Sequence, residues 1–327
     1  MLPSDASPLD QIGMASLPDV PLPDGALPGA PAEREFTVQQ RSQWKTIWRR
    51  FTHHKLAMIS MVVFFLLMVF AFIGPIFWKY KYDQVLKKPP GANKDWIRPS
   101  WEHPFGISKG YDVLAQVMRG TQYSIRIALV VMVVSVSIGV VVGAISGYFR
   151  GFTDSVLMRF TDLMLVIPYL AAVAALQRNV KGSTWLWLAL FLALFGWMGI
   201  ARVIRGEFLS LREKEFVEAA RSVGASAPRI IFKHIMPNTL GPIIVNATLA
   251  VGGAVLAEAA LSFLGLGVKP PDTSLGKIIE VGKSKATTYP NEFWWPVLML
   301  CLISLTVNFI GDGLRDAFDP KQNRVRA

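Results

Sequence analysis

The sequence contains little cysteine and little charge, and each shortage excludes a class of protein. Cys301 is the single cysteine among 327 residues, so the chain cannot form an internal disulfide. Charged residues make up 17% of the chain and hydrophobic residues 52%, proportions that are unusual for a soluble protein. We find no spacing typical of a metal site, a nucleophile triad or a pair of catalytic carboxylates. We therefore expect no catalytic residue and no metal site.

The sequence also lacks the basic pattern of a nucleic-acid-binding protein. Its formal net charge is +11, but no basic stripe with interleaved aromatic residues lies outside the apolar runs. The basic residues flank those runs, which favours contact with the anionic headgroups of a membrane. We expect membrane lipid, and no nucleic acid, among the partners.

Long apolar runs are what the sequence has instead. The first run, 56–77, carries no charged residue and spans roughly 33 Å as a helix, enough for a hydrocarbon core of about 30 Å. Backbone groups in lipid must bond within their own segment, so such runs are helices. In the third run, Arg159 and Asp162 are spaced to pair with each other. The sequence predicts an all-α membrane protein with six transmembrane helices, at about 56–77, 127–148, 155–176, 184–201, 239–264 and 294–314.

The two ends of the chain predict its orientation. Residues 1–35 are rich in Pro, Gly, Ala and Asp, which predicts a disordered tail, and no apolar run follows the first Met as in a secretory signal. Residues 36–55 are basic and contain Trp44 and Trp48, as in an interfacial segment on the cytoplasmic side. Six spans return the tail at 321–327 to that side. The expected cytoplasmic segments hold more Lys and Arg than the expected outer segments, which agrees with this orientation, but the difference is small.

The segment 202–238 is long for a connection between spans, and its residues predict a fold. Ser210 and Glu213 have the spacing of a capping box that starts a helix. Gly224 can end that helix in a left-handed conformation. A second short helix is expected after it, and Pro237 is expected to break the chain before the fifth span. The segment is predicted to be a helix–turn–helix on the cytoplasmic face.

The same segment carries a motif with a known parallel. Glu218, Ala219, Ala220, Gly224 and Pro237 stand at the spacing of the cytoplasmic loop signature of ABC importer permeases, which this chain resembles. The two alanines keep the surface low so that a partner's backbone can approach, Gly224 permits a sharp turn, and Glu218 can accept hydrogen bonds. The alternative is an interfacial amphipathic helix without a partner.

Further segments resemble one subfamily, the peptide and nickel permeases, in its second (C-type) subunit. His234 and Met236 replace the Ile and Leu of the general signature, and the stretch around them looks like the variant of that subfamily. The other similar segments are 147–154 with 158–162, 258–267 and 308–320.

The resemblance implies the type I ABC importer transmembrane domain at 56–320, with 202–238 as its coupling loop and the third and fifth spans near the pathway. It implies a second homologous permease subunit, two cytoplasmic ABC ATPases and an extracytoplasmic solute-binding protein. ATP and Mg²⁺ would be bound by the ATPases, so no cofactor is expected in this chain. The subfamily suggests di- or oligopeptides as cargo, in a multi-pass protein of the cell (inner) membrane with both termini cytoplasmic.

Two further positions have open or alternative interpretations. Glu258 lies within the fifth span, where an ionisable group suggests function. It either faces the translocation path or pairs locally near the outer end. The stretch 282–284 resembles the end of a phosphate-binding loop, but Lys277 stands where that loop needs glycine, so we assign it to an outer loop.

Other functions predict different features. A nickel or other small-solute importer would use the same type of permease. A secondary transporter or channel would place several ionisable residues or broken helices at mid-membrane, and here Glu258 is nearly alone. If the protein were a membrane scaffold, deleting it would leave ATP-dependent uptake unaffected.

Overall fold

The computed structural model describes residues 43–86, 96–179 and 185–318, and the structural statements below concern these residues. The predicted tails, 1–35 and 321–327, lie outside them. Single π-helical turns occur at Val69–Ile73 and at Ile230–Ile235, each within a longer helix. The helices are α1 Gln43–His53, α2 Lys55–Phe77, α3 Val113–Phe149, α4 Gly151–Val166, α5 Tyr169–Arg178, α6 Trp185–Arg212, α7 Glu215–Ser222, α8 Ala227–Phe263, α9 Leu275–Gly282 and α10 Pro290–Phe318.

Most of these helices suit a membrane. By length and hydropathy, α2, α3, α6, α8 and α10 are each able to cross a bilayer. The consecutive helices α4 and α5 pass the same test together, but their axes meet at 76°. The prediction of an all-α membrane protein is confirmed, and the described chain holds six spans when the bent pair counts as one.

Helix α3 is much longer than the predicted span 127–148. Its 37 residues extend for about 55 Å, well beyond the hydrocarbon core. The helix starts early because Asp112 caps it: the Asp112 Oδ1 atom accepts a hydrogen bond from the Ala115 N–H at 2.8 Å. The charge of Arg119 is accommodated on the ring of Tyr123, whose centroid lies 4.6 Å from the guanidinium. The helix therefore continues through residues that the hydropathy pattern excluded.

The third span is broken, so the prediction of one continuous helix over 155–176 is wrong. Helix α4 ends at Val166 and α5 begins at Tyr169. Pro168 causes the break, since the residue before a proline is forced out of the helical region. Ile167 accordingly has an extended backbone, with φ −70° and ψ 123°.

The core of the bundle lies where α3 and α6 pack closely. A Cβ atom added to Gly143 would lie 2.5 Å from the Ala201 carbonyl oxygen and 2.9 Å from the Ile204 Cβ. Only glycine allows the two backbones to approach so closely. A cluster of buried apolar residues from seven helices fills the bundle, among them Ile127, Leu188, Leu192, Val255 and Ile303.

Three short antiparallel strands mark one end of the bundle. They are β1 Trp96–Ile97, β2 Ile107–Ser108 and β3 Tyr111–Asp112, in the order β1-β2-β3. Ile97 pairs with Ile107, and Ile107 with Asp112. Because β3 leads directly into α3, we call this the strand end. The opposite end, where α3 finishes at Phe149, is the elbow end.

Polar contacts hold the loop at the strand end. The capping carboxylate of Asp112 also contacts His103 Nδ1, at 2.6 Å, and accepts from Trp78 Nε1 at 3.1 Å. On the surface, hydrogen bonds from the Tyr80 hydroxyl and the Lys79 ammonium hold the pKa of the Glu102 carboxyl below its usual range. These contacts join loop residues to the start of α3.

Candidate functional site

The predicted helix–turn–helix is present at the elbow end, but its boundaries differ from the prediction. Helix α6 runs on to Arg212, so the capping box expected at Ser210 does not form, and Lys214 occupies the N-cap position of α7. The second helix is the first part of α8 and continues through Pro237 without a break. Pro237 is tolerated because it stands directly after the π-helical turn, in the first turn of regular α-helix. We call residues 213–235 the elbow.

Gly224 makes the turn of the elbow, as the sequence predicted. Its φ is +83°, in the left-handed region that favours glycine. The Gly224 N–H donates to the Arg221 carbonyl at 2.9 Å, and the Ala225 N–H donates to the Ala220 carbonyl at 3.0 Å. This pair of bonds is the Schellman motif, which satisfies the last carbonyls of α7 and reverses the chain.

One face of the elbow is buried against the membrane helices. Val217 of α7 and Ile230 and Ile235 of α8 pack in a single cluster with Phe208 of α6 and Tyr148 of α3. All five side chains are buried. Because of this apolar burial, the elbow is packed as part of the bundle and is not a loose loop.

Charged groups add a second attachment at the same end. Arg212, the last residue of α6, donates to the Tyr148 carbonyl at the end of α3. Arg150, in the turn between α3 and α4, pairs with Glu213 at 2.7 Å. Both contacts connect the turn after α3 to the turn after α6.

The other face of the elbow is exposed and apolar at its centre. The Glu218 and Ala219 side chains are exposed, Ala220 is half-buried, and the Glu218 carboxylate has no hydrogen bond or ion pair with any other described residue. Around them, Val223 is 90% exposed and Phe232 69%. Large apolar side chains exposed in this way mark a contact surface.

Val223 and Phe232 were not among the site residues predicted from the sequence. Apolar residues within an otherwise polar connection were a usable signal for a contact surface. Of the other predicted residues, His234 lies half-buried in the π-helical turn, where its carbonyl accepts from Asn238 Nδ2 at 2.7 Å. Pro237 is exposed one turn later. These two residues therefore shape the start of α8. Of the exposed residues, Glu218, Ala219 and Val223 belong to α7 and the turn, and Phe232 belongs to the first part of α8.

Glu258 lies far from the elbow, near the strand end of α8, and is completely buried. Its Oε1 atom accepts from the hydroxyls of Ser262 and Ser274, both at 2.6 Å, and its Oε2 atom accepts from Ser124 at 3.0 Å. Ser274 also caps α9 by accepting from the Lys277 N–H at 3.1 Å. One carboxylate thus joins α3, α8 and α9, which matches the alternative of local pairing.

Neither a nucleotide loop nor a metal centre is seen in the described residues. Helix α9 ends at Gly282 and continues into a 3₁₀ turn over Lys283–Lys285. No group of three or more His, Cys, Asp or Glu side chains in residues 43–86, 96–179 and 185–318 is placed to hold a metal ion.

Comparison with known families bears on this arrangement directly. Residues 139–324, which include the elbow, match the family described as binding-protein-dependent transport system inner membrane component. The chain belongs to this family. Residues 42–93 match a second family model, the N-terminal TM domain of oligopeptide transport permease C. The resemblance to ABC importer permeases is therefore confirmed, and the chain is a multi-pass protein of the inner membrane.

Curated relatives of this permease agree over nearly their whole length. A protein of Mycobacterium bovis is 43% identical over 283 residues, which is 85% of this chain and 94% of the relative. A protein of Haemophilus influenzae is 37% identical over 294 residues, 88% of this chain and 91% of the relative. A protein of Bacillus subtilis is 36% identical over 289 residues, which is 88% of this chain and 92% of the relative. Each of the three is named an oligopeptide transport system permease protein OppC.

Proposed function

We propose that this permease forms half of the translocation path of an ATP-driven importer for di- or oligopeptides. A second, homologous permease would form the other half. Two ABC ATPases would supply ATP hydrolysis and bind ATP and Mg²⁺, and an extracytoplasmic binding protein would deliver the cargo. The family match supports the importer, and the names of the relatives support the peptide cargo.

The elbow is the proposed docking site for an ATPase. The observation that carries this assignment is the contrast between its two faces. Val217 is buried in the bundle, while Val223 on the following turn is almost fully exposed and the Glu218 carboxylate has no partner among the described residues. A groove on a soluble partner would cover the apolar centre, and a basic or amide group there would satisfy Glu218.

This assignment fixes the proposed orientation. The elbow end would face the cytoplasm, with both termini on that side, and the strand end would face the binding protein. Closing of the ATPases around ATP would draw the two elbows of the permease pair together. Because the elbow is packed against α3 and α6, the movement would pass into the spans as a rigid-body tilt and change which side the central path opens to.

A direct experiment is peptide uptake in vesicles that contain the permease with its partner permease, ATPases and binding protein. Labelled oligopeptide should accumulate only when ATP is present on the elbow side. Excess unlabelled peptide should compete and excess Ni²⁺ should not. Competition by Ni²⁺ alone would assign the cargo to the nickel branch. Uptake driven by an ion gradient without the ATPases would reject the proposal in favour of a secondary transporter.

The elbow's part in this function is tested by Glu218→Arg. The change places a cation where the docking face carries a carboxylate, so ATP hydrolysis should continue while peptide uptake falls by about tenfold or more. Insertion should be unaffected because the Glu218 side chain is exposed. Normal uptake by the variant would count against coupling through this face.

A further inference from the structure

Helix α4 is held to the rest of the described chain in an unusual way. Thr161 is its only fully buried residue, and large apolar side chains such as Phe152, Leu163 and Val166 are exposed. Little apolar burial therefore fixes the position of this half of the broken span.

Two ion pairs to α6 add to the apolar contact that Phe160, stacked on Trp197, and Met164 make with the same helix. Asp154 is bound by Arg205 through two parallel contacts of 2.6 Å, from the Nε and Nη2 atoms, and also accepts from the Ser146 hydroxyl. Asp162, two turns further along α4, pairs with Arg202 at 2.5 Å. The predicted pairing of Asp162 with Arg159 is therefore wrong: the carboxylate reaches across to α6. The pair of Asp154 with Arg205 is the more buried of the two and has two parallel hydrogen bonds, a geometry that holds the two helices in register.

Helix α4 also lies between two points where the helical path is interrupted. At its start, Arg150 has φ 56° and ψ −165°, a backbone conformation that is almost restricted to glycine, and Gly151 follows with φ 57°. At its end, the extended Ile167 and Pro168 separate it from α5. A cavity of about 260 Å³ lies beside Tyr169, the first residue of α5. The helix can therefore change direction at both ends while remaining helical.

Helix α6 connects these ion pairs to the elbow. Arg202 lies about 15 Å along the helix from Arg212, and α7 of the elbow begins three residues after Arg212. The pair between Arg150 and Glu213 links the first interruption to the elbow itself. Three ion pairs, two on α4 and one at the residue before it, thus connect this helix to α6 and the elbow.

We propose that α4 is the moving half of the third span and that Asp154 and Asp162 are positioning residues through which α6 drives it. When the elbow moves, α4 follows α6 through the two aspartates and turns about its two ends relative to α5. The inference rests on the proposed function, because it identifies how elbow movement reaches the path.

The test uses the complete transporter in vesicles and reverses one ion pair. Asp162→Arg and Arg202→Asp should each reduce peptide uptake by about tenfold or more while ATP hydrolysis stays within about twofold, because α4 no longer follows α6. The double variant, which restores the pair in the opposite sense, should recover uptake to within about threefold of the unchanged protein. Wild-type uptake in either single variant, or no recovery in the double variant, would overturn the proposal.

Arg159→Asp is the matched control. Arg159 lies on the same helix, is exposed and forms no ion pair with the described residues, so the same change of charge should leave uptake within about twofold. Loss of uptake equal to that of Arg202→Asp would show a general charge effect and reject the specific role. Absence of peptide uptake by the unchanged transporter would refute the proposed function instead, so the two failures are distinguishable.

A second measurement leaves the ion pairs intact. In a Cys301→Ser background, spin labels at position 163 on α4 and position 203 on α6 report one distance, and labels at 163 and 176 report the distance from α4 to α5. Trapping the ATPases with nucleotide should change the second distance and leave the first constant. A change in the first distance with a constant second one would contradict the inference.

Discussion

At the scale of single residues, Gly224 tests whether the proposed coupling depends on the backbone conformation of the elbow turn. Apart from its chain neighbours, no residue that the structure describes has an atom within 4 Å of a Cβ placed there, so a substitution is opposed by its φ of +83° and not by crowding. Alanine in this conformation costs roughly 1 kcal/mol, whereas proline cannot adopt it and also removes the N–H that donates to Arg221.

We therefore expect Gly224→Ala to retain most uptake and Gly224→Pro to lose it while ATP hydrolysis continues. Peptide uptake and phosphate release, measured in the same vesicles, check this. The outcome that would contradict the role of the turn is normal uptake by Gly224→Pro in a correctly inserted protein.

Glu258 is a second residue with a definite expected effect. Replacement by alanine leaves the hydroxyls of Ser124, Ser262 and Ser274 without their shared acceptor inside the bundle. The permease should lose about 2–4 kcal/mol of stability, seen as a lower unfolding temperature in detergent. Glu258→Gln keeps one acceptor oxygen and should lose less. If Glu258→Ala unfolds at the wild-type temperature, the carboxylate does not hold α3, α8 and α9 together.

At the scale of the elements, the proposed coupling depends on the contact of α3 with α6, through which movement of the elbow would pass into the bundle. Gly143→Ala places a methyl group 2.5 Å from the Ala201 carbonyl oxygen, so the helices must separate. We expect a loss of about 1–3 kcal/mol, measured as a lower unfolding temperature. Gly253→Ala on α8 is the control, because no atom lies within 4 Å of the added group. Equal effects of the two changes would show that close packing at Gly143 is unimportant.

The sequence predicted the positions of most elements but not their ends or interruptions. Apolar runs report the part of a helix that lies in lipid, whereas the start of α3 depends on the Asp112 cap and on a ring placed over Arg119. Pro168 was a local signal for the break between α4 and α5. The prediction of one span over 155–176 followed the hydropathy of the run and did not use this signal. The overestimated loop at 202–238 has the same origin, since α6 and α8 extend beyond their apolar parts.

The candidate site was predictable as far as it rests on local chemistry. The turn at Gly224 follows from glycine's access to positive φ, and the structure has it there. The buried contact of Val217 with Tyr148 and Phe208 joins residues far apart in the chain, so no local pattern indicates it. The same holds for the pairing of Asp162 with Arg202, where sequence proximity favoured Arg159.

At the scale of the whole molecule, the account requires opposite ends of the bundle to lie on opposite sides of the membrane. Cys301 is the single cysteine and is exposed, so Cys301→Ser gives a background free of thiols. In that background, Val223→Cys at the elbow and Trp101→Cys at the strand end introduce one exposed thiol each.

A membrane-impermeant maleimide added to intact cells should label Trp101→Cys and spare Val223→Cys until the membrane is opened. Labelling of whole cells and of inverted vesicles, read by mass shift, checks the result. The reverse pattern would place the elbow outside the cell and remove the basis for coupling.

In the proposed function, the exposed face of the elbow is where a partner ATPase acts on the bundle. The buried face of the elbow is continuous with α3 and α6, and the ion pairs of α6 reach the broken span.

The most direct test of this claim is the number of peptides imported per ATP hydrolysed, measured in vesicles with all subunits for the unchanged permease and for Val223→Asp. The substitution puts a charge at the centre of the apolar docking face without touching the bundle. We predict that the ratio falls by about tenfold or more while the permease remains inserted and paired. An unchanged ratio in Val223→Asp, or peptide import by the permease pair without ATPases, would contradict the account.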